Sequence, residues 1–108
     1  MNQFPRLFLV DQTNQPDSIL WLESDGNYTR IHRQQQPALL SARTLKRFEE
    51  RLSCFIRIRR DVLINPRHIQ YVRWNGQPKL IIGLTDGTEL TASRRNYKKV
   101  TSQLRTHY

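Results

Sequence analysis

A mostly β, single-domain fold is predicted by three features of this 108-residue chain. Apolar and polar residues alternate with the period of a strand over several short stretches, most clearly from Phe55 to Arg59. Turn dipeptides, Asp25-Gly26, Asn75-Gly76 and Asp86-Gly87, fall between those stretches, as hairpins require. A helical period appears only from Thr44 to Leu52 and again after Ser93. The sum is about eight short strands and two short helices in one domain spanning 1–108, with no Pro/Gly/Ser-rich linker and no internal repeat.

Taken in order, Arg6-Leu-Phe-Leu-Val10 is an apolar run suited to a first strand, so 1–16 reads as an N-terminal strand or arm. Gln12 to Pro16 is polar and turn-like. Ser18 to Glu23 is the next strand, and Asn27 to Arg33 its hairpin partner. Tyr28, Arg30 and His32 share one face of that partner, and Thr29, Ile31 and Arg33 the other. Gln34 to Pro37 is a loop and Ala38 to Ala42 a further strand. Leu45, Phe48 and Leu52 then recur at i, i+3 and i+7 behind Thr44, a good N-cap.

Residues 55–73 set five arginines (Arg57, Arg59, Arg60, Arg67, Arg73) and His68 among seven aliphatic residues, with Asp61 as the one acid. Ile56 and Ile58 fall on one side of a strand, Arg57 and Arg59 on the other. Arg60 would put a charge on the apolar side, so the strand should bend, bulge or end there. Val62-Leu63-Ile64 is a short apolar knot closed by a turn at Asn65-Pro66, and a strand restarts at Ile69. Lys79–Leu84 and Thr88–Ala92 pair as a hairpin. Ser93 can cap a last helix in which Tyr97, Val100 and Leu104 line one face.

The net charge is +9, and 14 of the 18 basic residues are arginine, whose planar fork suits phosphate or guanine. No acid lies between Gly26 and Phe48, where Arg30, Arg33, Arg43, Lys46 and Arg47 stand. None lies between Thr91 and Tyr108, which hold Arg94, Arg95, Lys98, Lys99 and Arg105. That distribution points to one broad cationic surface and an anionic partner, nucleic acid before membrane. A turn-held Asn65 beside arginines is one way to present a base-reading amide next to phosphate clamps, and Asn before proline is equally an ordinary turn former.

Other chemistries find little support. No run approaches the ~18 apolar residues of a membrane span, so no membrane partner is expected. The single cysteine, Cys54, suits a reducing cytoplasm and is expected to pack in the core. His32, His68, His107 and Cys54 lack metal-ligand spacing, and neither a Gly-rich phosphate loop nor a nucleophile–base pattern stands out. No cofactor and no enzymatic activity are expected.

The run Phe55-Ile-Arg-Ile-Arg-Arg-Asp-Val-Leu-Ile-Asn65, continuing through His68-Ile69 and Val72, resembles the central motif of the LytTR DNA-binding domain family. Ile19-Leu-Trp-Leu-Glu-Ser-Asp-Gly-Asn-Tyr28 resembles its opening, Thr44-Leu45 with Leu52 its helix, and Thr91-Ala-Ser-Arg-Arg95 with Tyr97 its close. The four motifs span about 17–105. Arg59 departs from the usual His, and Asp61 from a small polar residue, which could weaken a phosphate contact or pair with a neighbouring arginine. The resemblance implies elongated, stacked antiparallel β-sheets whose loops enter the major grooves of double-stranded DNA at promoter direct repeats. It implies bacterial transcription regulators, in which such domains sit behind a receiver domain, answer to a sensor kinase and can dimerise on DNA. By resemblance, Thr29, Asn65 and Arg95 would contact bases. Arg30, Arg57, Arg60, Lys98 and Lys99, with neighbouring Arg59, would contact the backbone. All of these should then converge over one cationic surface.

Two other functions fit the same composition. One is a β module that stacks single-stranded nucleic acid on Tyr28, Trp74 and Tyr97. The other is a protein-interaction adaptor that keeps the fold and uses its sheet edges.

Overall fold

The computed structural model describes residues 15–74, 80–93 and 96–107, with the side chains of Tyr97 and 105–107 outside that description. The expected strand at Arg6–Val10, the Asn75-Gly76 turn and Arg95 lie outside the described residues. Within them the chain forms eight strands and two α-helices: β1 (Ile19–Asp25), β2 (Tyr28–Arg33), β3 (Gln36–Ser41), α1 (Leu45–Arg51), β4 (Ile56–Arg59), β5 (Val62–Ile64), β6 (Ile69–Trp74), β7 (Leu80–Leu84), β8 (Glu89–Ala92) and α2 (Tyr97–His107).

The strands make a five-stranded sheet, ordered β3-β2-β1-β5-β4, and a three-stranded sheet, β6-β7-β8. Every pairing is antiparallel. The molecule is elongated, 50 × 24 × 22 Å. Gly26 carries the β1–β2 turn at φ +63°, a conformation that costs a residue without Cβ little. The expected Gln34–Pro37 loop shrinks to a two-residue turn with Gln35 at φ +57°, and β3 starts at Gln36, earlier than expected.

Two cores flank the larger sheet. On one face Ile19, Leu22, Ile31 and Leu63 meet Leu45 and Phe48 of α1 and Leu52 at its C-cap. On the other Leu20, Ile56, Ile58, Val62 and Ile64 meet Leu80, Ile82, Leu84 and Leu90 of the smaller sheet, with Val100 and Leu104 of α2. The Val62–Ile64 knot is therefore a strand in its own right, buried on both faces because its side chains point alternately into the two cores. Burying each such aliphatic side chain contributes roughly 1.5–3 kcal/mol, so these layers fix how the sheet is held.

Thr44 caps α1, its hydroxyl accepting from the Arg47 amide at 3.3 Å. At α2 the cap differs from the sequence expectation. Ser93 closes a turn by accepting from the Asn96 amide, and the helix starts at Tyr97, with Asn96 receiving the Val100 amide at 2.8 Å. Cys54, expected inside, is exposed, since Leu52 and Phe55 on either side of it take the core positions. Among the described residues no helix is long and apolar enough to cross a membrane, and no cluster of potential metal ligands is present.

Candidate nucleic-acid interface

The strand directions bring four connections to one end of the larger sheet. There β1 runs into the β1–β2 turn, β4 into the β4–β5 turn and β3 into the link to α1. Backbone and side-chain bonds tie these together. The Ser24 amide donates to the Asp61 carbonyl at 3.0 Å. The Thr29 hydroxyl donates to the Arg43 carbonyl at 2.7 Å. The fourth connection, between β8 and α2, is joined to β4 by the Ser93 amide donating to the Ile58 carbonyl at 3.2 Å. Arg30, Arg43, Arg59 and Arg60 belong to this end, and Lys98 and Lys99 stand exposed in the first turn of α2 just after it.

The cations there are not equivalent. Arg60, at the tip of the β4–β5 turn, is exposed and has no side-chain partner among the described residues. Arg30 is paired with Asp25. Arg59 Nε lies 3.6 Å from Asp61 Oδ1, so the departure at 61 answers the departure at 59. Arg57 faces the other way. Its fork reaches the carbonyls of Arg59 and Arg60 and the Glu49 carboxylate of α1, and only 23% of its side chain is exposed. A guanidinium so engaged has little left for a phosphate.

Two of the expected base readers, Thr29 and Asn65, do not converge. Thr29 is fully buried beside Ile31, because both lie on the face that α1 covers and the hydroxyl is consumed by Arg43. Asn65 lies at the opposite end of β1, a strand roughly 20 Å long at ~3.3 Å per residue. Only 2% of Asn65 is exposed. Its amide nitrogen donates to the carbonyls of Pro16 at 3.1 Å and Ile19 at 2.9 Å, and its oxygen accepts from the Arg67 amide at 3.0 Å. A buried amide with both ends satisfied is a staple for the Pro66–His68 turn, not a probe held out to solvent. Arg95 falls outside the described residues, in the segment joining Ser93 to Asn96.

Beside the staple is a second polar group. Arg67 pairs with Asp17 at 3.1 Å, and His68 Nε2 lies 2.6 Å from the Asp17 carbonyl. On the larger sheet His32 stacks on Trp21, centroids 4.0 Å apart, with Nε2 2.6 Å from Glu23. His32 is thus a half-buried strand residue held by its neighbours on β1. On the smaller sheet the Glu89 carboxyl is held below its ordinary value by hydrogen bonds from Tyr71 and Arg73, which in turn raise both partners. The aromatic candidates for stacking stand apart: Tyr28, 41% exposed, is on β2, and Trp74, 53% exposed, is on β6 of the other sheet.

Sequence reasoning placed Arg60 among the backbone contacts and missed that it stands in the two-residue turn with Asp61. The signal was present in the apolar–polar alternation, which breaks at that residue.

The family profile described as the LytTr DNA-binding domain matches residues 13–105. No curated protein matches the chain. Among solved structures, one similar chain is the LytTr DNA-binding domain of a Bacillus cereus protein described as a methyl-accepting/DNA response regulator. It superposes with a TM-score of 0.77 at 19% identity, over 82% of this chain and 83% of that one, and shares the fold.

Proposed function

The chain belongs to the LytTr DNA-binding domain family, and from that premise we propose that it binds double-stranded DNA sequence-specifically through the cationic end of its larger sheet. The observation that carries this reading is the gathering of four connections at one end, with Arg60 exposed in a turn and without a side-chain partner among the described residues. In this reading Arg60 and Arg95 are the base readers, each able to fork onto guanine O6 and N7. Arg30, Arg59, Lys98 and Lys99 hold the phosphates and supply salt-dependent attraction. Thr29 holds the link between β3 and α1 from inside, and Asn65 staples the Pro66–His68 turn at the opposite end. Promoter direct repeats are the proposed targets, bound by paired domains in the bacterial cytoplasm. The proposed setting is a response regulator whose receiver domain takes the signal from a sensor kinase.

Fluorescence anisotropy across about 50–200 mM salt tests this, with a duplex selected from a random pool against an unselected one. Binding should weaken linearly in log–log form, by about 0.9 per phosphate contact, and the selected duplex should compete better. Affinity indifferent to salt, or no preference between duplexes, would defeat the proposal. Stronger competition by a single strand would favour stacking on Tyr28 and Trp74 instead.

A further inference from the structure

The β4–β5 turn that carries Arg60 is only two residues long, Arg60 and Asp61, and hairpin turns of this length hold their shape through their own backbone or through a side chain that reaches across. Here a side chain of β4 supplies the support, reaching along its own strand to the turn. Arg57 Nε donates to the Arg59 carbonyl at 3.1 Å and the Arg60 carbonyl at 3.2 Å, and its Nη2 to the Arg60 carbonyl at 2.7 Å. Its Nη1 is held by Glu49 Oε1 at 2.5 Å, from the covering helix.

We infer that Glu49 of α1, acting through Arg57, fixes the β4–β5 turn and so sets the position from which Arg59 and Arg60 meet DNA. This rests on the DNA-binding reading above. Arg57 and Glu49 are positioning residues, on the face of the sheet that α1 covers and turned away from the nucleic acid. Three observations support it. The Arg57 side chain is mostly buried and all three of its nitrogens are committed within the chain. The bonded groups are the carbonyls of the two arginines proposed to touch DNA. The register of β4 against β5 shifts between Arg57 and Arg59, so the ladder is irregular where the fork supplies the missing bonds. The guanidinium serves two carbonyls and a carboxylate from three separate nitrogens; an ammonium at 57 would keep the charge and confine its donors to one nitrogen.

The inference gives an outcome opposite in sign to plain electrostatics. Glu49→Gln removes a negative charge from a DNA-binding protein, and on charge alone should tighten binding. As a positioning defect it should weaken binding to the selected duplex roughly three- to tenfold, the scale of turning the charged acceptor of one charge-assisted hydrogen bond into a neutral one. Arg57→Lys should weaken it similarly, although a residue that merely contacted phosphate would tolerate lysine.

The experiment uses the full chain, with anisotropy on the selected duplex and amide hydrogen exchange on the free protein. In both variants the amides of residues 59–62 should exchange faster while those of β7 keep wild-type protection. Glu49→Gln binding as well as or better than wild type, or Arg57→Lys binding like wild type, overturns the inference. So does unchanged exchange in the turn. Wild-type protein that binds no duplex, with the turn nonetheless loosened in both variants, would sink the DNA reading itself while the brace on the turn stood.

Discussion

Replacing Asn65 by alanine separates a staple from a reader. The side chain makes three hydrogen bonds, to the carbonyls of Pro16 and Ile19 and from the amide of Arg67, in a site 2% exposed. Net contributions of about 0.5–1.5 kcal/mol per bond, with added cost for buried groups left unpaired, put the loss near 2–4 kcal/mol. For a domain of this size that lowers Tm by about 10–20 °C. Urea unfolding followed by far-ultraviolet circular dichroism would measure it as a lower midpoint at unchanged slope. Asn65→Asp keeps the shape and the acceptor for Arg67, but sets an oxygen against two carbonyls, and should cost at least as much at neutral pH. An alanine variant as stable as wild type that has lost its preferred duplex would refute the staple and return Asn65 to base reading.

The remaining expectations concern the buried hydroxyl, the smaller sheet and the turn tip. Thr29→Val keeps volume and loses the bond to Arg43, so it should destabilise by about 1–2 kcal/mol in urea while the folded protein keeps its duplex preference; lost preference at full stability contradicts this. Gly83 lies under the Tyr71 ring, where any Cβ would collide. Gly83→Ala should displace that ring and move the Glu89 carboxyl back toward its ordinary value in a carbon-13 titration; no movement would show that Tyr71 is not its partner. Because folding lowers the Glu89 value, its contribution is present above the ordinary carboxylate range and is lost as pH falls through the lowered value. The contribution is small, since the group is exposed. Arg60→Ala should abolish duplex preference, whereas Lys98→Ala should weaken all duplexes alike and reduce the salt slope by about 1. Equal effects from the two would show that readers and clamps have been sorted wrongly.

The fold was largely legible because local patterns dominate it. Gly26 and Gly87 adopt the positive φ that their dipeptides signalled, and Leu45, Phe48 and Leu52 form one buried helix face. Val62–Ile64 was harder to classify, since a strand buried on both sides loses the alternation that marks a half-wet one. The site was less legible. Alternation put Arg57 on the wet face of its strand, and nothing local reveals that α1 covers that face and presents Glu49. Thr29 followed Ile31 inward as the strand period dictates, but the carbonyl that satisfies it is 14 residues away. Asn65 meets its partners 49 and 46 residues back along the chain, a distance over which composition and spacing carry no information.

Nitrogen–proton chemical-shift mapping with the selected duplex tests most directly where the nucleic acid sits. The largest changes should fall at the β1–β2 turn, at Arg59–Asp61 and at the start of α2 around Lys98 and Lys99, with Tyr71 and Arg73 on the smaller sheet unmoved. Changes centred on the smaller sheet or on the Pro66–His68 turn, leaving Arg60 undisturbed, would contradict binding through the cationic end.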